Sequence, residues 1–79
     1  MDQPCVKYHG QTYRKHGKYY QSDDTTLRER RLLHRAVWID HFGPIPEDHH
    51  IHHRDGDGLN NQIGNLELVL YVVFVDTVD

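Results

Sequence analysis

Between Ile51 and Leu66 the sequence reads IHHRDGDGLNNQIGNL, and its residue types suit a reactive site better than a core. Two adjacent histidines, His52 and His53, precede a loop of glycines and aspartates. An asparagine pair, Asn60 and Asn61, closes the loop, and Asn65 follows just before an apolar run. Imidazole titrates near neutrality, so a histidine held by a rigid loop can take a proton from water. Hydrolysis of a phosphodiester needs such a base, and a cation to neutralise the phosphate and the leaving oxygen. Geometry sets a condition on this reading. Neighbouring strand positions face opposite ways, so His52 and His53 need a bulge or twist to address one phosphate together. Arg54 could hold a phosphate, and could equally be an ordinary exposed arginine.

The elements that must position these residues follow from local pattern. His49 to His53 reads as the first strand of a hairpin, with His50 and His52 on one face and Ile51 and His53 on the other. The connection RDGDGLNN supplies residues that tolerate left-handed backbone angles, and the chain returns from Gln62 through Val69. Leu70 to Val75, LYVVFV, is β-branched and aromatic and favours a strand. Upstream, Gln11 to Tyr20 interleaves aromatic and basic residues around Gly17, which predicts a short hairpin. Thr25 to Phe42 reads as the main helix, with Thr26 as its cap and Glu29 in capping-box position. Leu33, Val37 and Trp38 form its apolar stripe. The LRERR segment leaves a second option, in which it finishes a strand and a shorter helix starts at Leu32. Gly43-Pro44 ends the helix in either case. Residues 1–10 show no pattern and are expected to be a flexible lead-in to a single domain over residues 11–79.

Composition narrows the class. Seventy-nine residues allow one small domain with a marginal core. The single cysteine, Cys5, cannot form an internal disulfide, which leaves a metal or a partner as the source of extra stability. Eight histidines favour the metal. The net charge of −3 argues against a generic polyanion binder, yet eight of the nine Lys and Arg lie between residues 7 and 35. That basic half, with Arg14, Lys18 and Arg35, is a candidate nucleic-acid face or a solvated surface. No apolar leader follows Met1, and the apolar run from Leu68 to Val75 is far shorter than the ~20 residues that span a bilayer. A soluble, cytoplasmic protein is expected, with no membrane partner.

Residues 33–69, LHRAVWIDHFGPIPEDHHIHHRDGDGLNNQIGNLELV, resemble the HNH endonucleases of phage and homing-endonuclease type. The Leu-His-Arg helix, the Trp, the Gly-Pro-Ile-Pro link, the His pair, the Asn pair and Asn-Leu-Glu occur in the family's order. The resemblance implies an α+β, ββα-metal fold, preceded here by the N-terminal hairpin, and cleavage of DNA. Carried over, His53 matches the general base and His52 the metal-binding position. Asn65 matches the middle Asn that ties the hairpin together, and Asn61 falls in the loop's Asn pair. A His ligand leans towards Zn²⁺, Mn²⁺ or Ni²⁺, although similar enzymes also use Mg²⁺. One part departs: the family's second metal ligand falls on Phe74, in a segment with no His or Asn that reads as strand rather than helix. The alternative reading is therefore a non-catalytic relative that binds DNA, metal or a partner, with residues 68–75 open to self-association. Among the remaining residues, His34 reads as a packing or hydrogen-bonding histidine, Tyr19 and Tyr20 as hairpin packing, and Trp38 as core.

Overall fold

The computed structural model describes residues 4–70. Three short strands, β1 (Cys5–Tyr8), β2 (Gln11–His16) and β3 (Tyr19–Gln21), form one antiparallel sheet in the order β1-β2-β3. Helix α1 (Leu33–Phe42) follows, and strands β4 (His49–His53) and β5 (Leu66–Leu70) form a second antiparallel pair. This is the small α+β architecture expected of a ββα-type domain. Each element places one face in a shared core. Tyr13 and Tyr20 come from the first sheet, Leu33, Ala36 and Val37 from α1, and Ile51 and Leu66 from the hairpin, with Ile45 of the link between them. In β4 the period of two buries Ile51 and His53 and leaves His52 exposed.

The β2–β3 hairpin turns at Gly17, whose φ of 62° is one that glycine adopts without steric cost. Residues 5–8, expected to be part of a flexible lead-in, instead form β1 and pair with β2 from Cys5–Arg14 to Tyr8–Gln11. The reason is a tether that no local pattern reveals. The Tyr8 hydroxyl donates to Asp40 at 2.8 Å, and the Arg30 guanidinium reaches the same carboxylate at 2.6 Å. Burial, the hydrogen bond and the charge of Asp40 push the Tyr8 phenol up to about 12. Desolvation works against the ionised Asp40, but Tyr8 and Arg30 outweigh it and hold the carboxyl below its usual range.

The helix is shorter than the sequence suggests, and the second option for LRERR is nearer the structure. Residues 25–31 make 3₁₀ turns broken at Arg28, whose φ of 54° and ψ of −115° are not helical. The Ser22 N–H donates to the Arg31 carbonyl at 2.7 Å, and Gln21 bridges Leu32, so this end of the segment is drawn into pairing with the first sheet. The cap is Asp24 rather than Thr26: its carboxylate accepts from the Thr26 N–H at 2.9 Å and from the Thr26 hydroxyl. At the far end Gly43, with φ of 96°, donates its N–H to the Ile39 carbonyl at 2.8 Å before Pro44. The predicted strand beyond Leu70, the position of Phe74 and most of the proposed self-association segment lie outside the described residues.

The β4–β5 loop docks on the β2–β3 hairpin at Gly58. A methyl group there would run into the Lys18 carbonyl and the Tyr19 ring. The Lys18 carbonyl is backbone and cannot swing aside, so Gly58→Ala should destabilise the protein by about 1–3 kcal/mol. Urea unfolding of the two proteins measures this, and an unchanged midpoint would show that the loop is not held against the hairpin.

Candidate active site

His53 ends β4 opposite Leu66, and its side chain is only 5% exposed. A buried imidazole needs partners for its ring nitrogens. Nε2 lies 2.9 Å from Oδ1 of Asn61. The Asn61 amide NH₂ donates to the Leu59 carbonyl at 3.4 Å, which turns the carbonyl end towards the ring. A carbonyl oxygen can only accept, so Nε2 carries the proton and Nδ1 keeps its lone pair. That is the tautomer a general base requires.

The loop that carries Asn61 is built around Asp55. Its carboxylate accepts from the Asp57 N–H at 2.8 Å, the Asn60 amide at 2.9 Å and the Asn65 amide at 3.0 Å. The Asn60 amide, then the Asp57 N–H and the Asn65 amide, hold the Asp55 carboxyl below its ordinary range. Asn65 closes the circuit. Its Oδ1 accepts from the Asp55 N–H at 3.1 Å, its NH₂ also reaches the Asn60 carbonyl at 2.9 Å, and its own carbonyl accepts from the Arg54 N–H at 2.7 Å. Asn65 thus fixes the two ends of the loop, while Asn61 addresses the His53 ring.

Two rings box His53 on its other sides. His34 of α1 meets it edge-on with centroids 4.8 Å apart, and Tyr19 of β3 stacks at 5.9 Å. His34 is itself buried, and its Nδ1 has no hydrogen-bond partner among the described residues. Burial first, then the neighbouring His53 and Arg35, push its pKa down to about 4. A neutral His34 places no like charge beside His53 when His53 takes up a proton.

An open groove of about 520 Å³ runs past this cluster, bordered by Lys15 and Lys18 of the first hairpin and by His52, His53 and Leu59. His52 and His53 border one groove although β4 and β5 pair in unbroken register, so no bulge is required between them. His52 is exposed, and Glu67 stands opposite it on β5. The other residues singled out in the sequence are dispersed. Arg54 is exposed directly after His53, and Arg14 lies 3.3 Å from Asp23 at the surface. Arg35 reaches Glu29 at 3.4 Å in a separate depression. Among the described residues, no three His, Cys, Asp or Glu side chains gather closely enough to hold a metal ion. Sequence reasoning missed Asp55, Glu67 and the boxing role of Tyr19 and His34. The Asp-Gly-Asp-Gly run is the one signal that could have marked Asp55.

Comparison with known proteins bears on residues 31–69, which match a family model described as HNH endonuclease. The chain is also similar to Intron-associated endonuclease 3 of Enterobacteria phage RB3, with 47% identity over 40 residues. That alignment covers 44% of this chain and 15% of the phage protein, so the chain spans a small part of its relative's length. No solved structure matches the chain.

The depressed pKa of His34 fixes the sign of an acid effect. Below the ordinary value of 6.5 the unfolded chain binds a proton at His34 that the native chain refuses until about 4. The associated stability is complete above 6.5 and is lost as pH falls towards 4. By about pH 5 this one group should cost about 2 kcal/mol, at ~1.4 kcal/mol per unit. His34→Phe keeps a ring and removes the titration, so its stability should fall less between about pH 7.5 and about pH 5. Urea unfolding at the two pH values reads the difference, and equal losses in both proteins would clear His34 of the effect.

Proposed function

The chain belongs to the HNH endonuclease family, and from that premise we propose that it is a nuclease hydrolysing DNA phosphodiester bonds with His53 as general base. The observation that carries the reading is the Nε2–Asn61 hydrogen bond, which leaves Nδ1 as the basic nitrogen of a histidine bordering a basic-edged groove. In the proposed step Nδ1 of His53 takes a proton from a water poised for attack on phosphorus, and the 3′ oxygen departs. Asn61 stabilises the imidazolium that forms, because its carbonyl already faces Nε2–H. Lys18, beside the groove, and Arg54, directly after His53, are the proposed contacts to flanking phosphates. Arg14 is a weaker one, since its exposed pair with Asp23 competes little.

The family works with a divalent ion, which supplies charge neutralisation at the phosphate and the leaving oxygen. His52 is the residue proposed to hold it, with Glu67 across the strand pair. Zn²⁺, Mn²⁺ and Ni²⁺ suit the imidazole, and Mg²⁺ suits the carboxylate. A second reading, a non-catalytic member that binds DNA or metal without cutting, is favoured by the lack of a three-donor cluster among the described residues.

A plasmid-nicking assay with Mg²⁺, Mn²⁺, Ni²⁺ and Zn²⁺ separates the two. Metal-dependent nicking by the wild type, reduced at least about 100-fold by His53→Ala, is the expected result. Asn61→Ala should also lower turnover while leaving DNA affinity intact. Nicking that survives His53→Ala would remove the base from its role. Calorimetric titration of each ion into wild type and His52→Ala gives an independent readout, with the heat of binding lost in the variant.

A further inference from the structure

On the surface formed by the 25–31 segment and α1 there is a second open depression, of about 510 Å³, bordered by Arg28, Arg31, Arg35 and Glu29. Three guanidiniums and one carboxylate leave it with a net charge of +2, in a chain whose total is −3. The guanidiniums are not locked into strong pairs. Arg35 meets Glu29 at 3.4 Å, and the Glu29 side chain is 58% exposed, so the pair is weak and open to displacement. Arg31 uses only Nε, which donates to the Ser22 carbonyl at 3.2 Å and leaves the outer edge of the fork available. Among the described residues Arg28 makes no ion pair, and its backbone has a φ of 54° and a ψ of −115°. Non-glycine residues avoid that conformation, and glycine would adopt it more cheaply. An arginine where the backbone favours glycine is a strained residue, and strain of this kind clusters where a side chain has a task.

We propose that Arg28, Arg31 and Arg35 form a second phosphate site, one that grips the backbone of the same DNA strand beside the cleavage groove. Continuity with that groove follows from two elements. Tyr19 borders the groove and Gln21 borders the arginine depression. They are two residues apart on one face of β3, a separation of roughly 7 Å. Likewise His34, whose ring packs on His53, is followed on α1 by Arg35. A strand lying along the groove thus meets planar, bidentate donors one step further on, and phosphate is the group such forks fit best. The site rests on the nuclease reading for its ligand but not for any chemistry.

Its test is therefore binding without cleavage. Fluorescence anisotropy with a labelled duplex oligonucleotide, in EDTA and across a salt series, would compare wild type with Arg28→Gly, Arg35→Gln and the double variant. The double variant should bind about tenfold more weakly at low salt, and the slope of log affinity against log salt should fall by about 2. Glu29→Gln should shift affinity the opposite way. Lys7→Gln, the same charge loss on β1 at the far edge of the first sheet, should change binding less than either arginine variant. Arg28→Gly relieves the strained backbone, so it should melt no lower than the wild type and binding loss cannot be put down to unfolding. Wild-type binding with unaltered affinity and slope in the double variant would overturn the second site and leave the nuclease reading standing. No duplex binding by the wild type would overturn the second site, while the plasmid-nicking assay with metal decides the nuclease reading separately.

Discussion

The hydrogen bond between Nε2 of His53 and the side-chain carbonyl of Asn61 is the constraint on which the rest of the structure depends. A buried imidazole has two ring nitrogens and, when neutral, a single proton to place. Assigning that proton to Nε2 decides at once which nitrogen is basic and which way the ring faces. A hydrogen bond of this type is worth only about 1 kcal/mol net, but leaving the buried N–H unpaired would cost about 1–3 kcal/mol. Asn61 must therefore be held in place by something other than His53, and this is the work of the loop. Asp55 gathers three donors, Asn65 joins the loop's two ends, and Gly58 lets it rest against the Lys18 backbone. Each contact is weak alone and together they leave the loop little freedom.

The first sheet is the outer wall of the same site. Tyr19 brings its ring onto His53 and His34, while the next residue, Tyr20, turns inwards to the core. The strand period of two thus divides β3 between packing and site. The sheet is anchored to α1 by Asp40, which takes Tyr8 from β1 and Arg30 from the segment before the helix. Tyr13 adds a second tie through its hydroxyl, which donates to the Arg30 carbonyl at 2.7 Å. The two links that leave the sheet, Tyr8–Asp40 and Tyr13–Arg30, join residues 32 and 17 positions apart.

Their range explains what the sequence could reveal. The hairpin of His49–His53 and its return strand were legible, because alternation and loop composition are local signals. The family motif over residues 33–69 was legible for the same reason, as was the turn at Gly17. The strand at Cys5–Tyr8 was not, since its order depends on Asp40, far along the chain. The helix start was misplaced because helical spacing extends back to Thr25, while a tertiary pairing of Ser22 and Gln21 with Arg31 and Leu32 pulls that end out of the helix. Within the site, residue types named His53 and the asparagines. Only the fold divides the contacts between them, with Asn61 at the His53 ring and Asn65 at the loop closure.

His34 shows where stability and chemistry pull apart. An apolar side chain at this position of α1 would avoid burying an imidazole whose Nδ1 finds no partner among the described residues, a cost of about 1–3 kcal/mol. A flat ring is nevertheless what the slot between Tyr19 and His53 accommodates, and the edge-on contact limits how His53 can turn. Because burial holds His34 neutral, the ring confines its neighbour without opposing the positive charge that proton uptake would create. A lysine or arginine in that slot would repel the imidazolium, and a carboxylate would compete with Asn61 for the N–H. A neutral histidine packs against His53 without adding a charge to it and leaves the Nε2–H to Asn61.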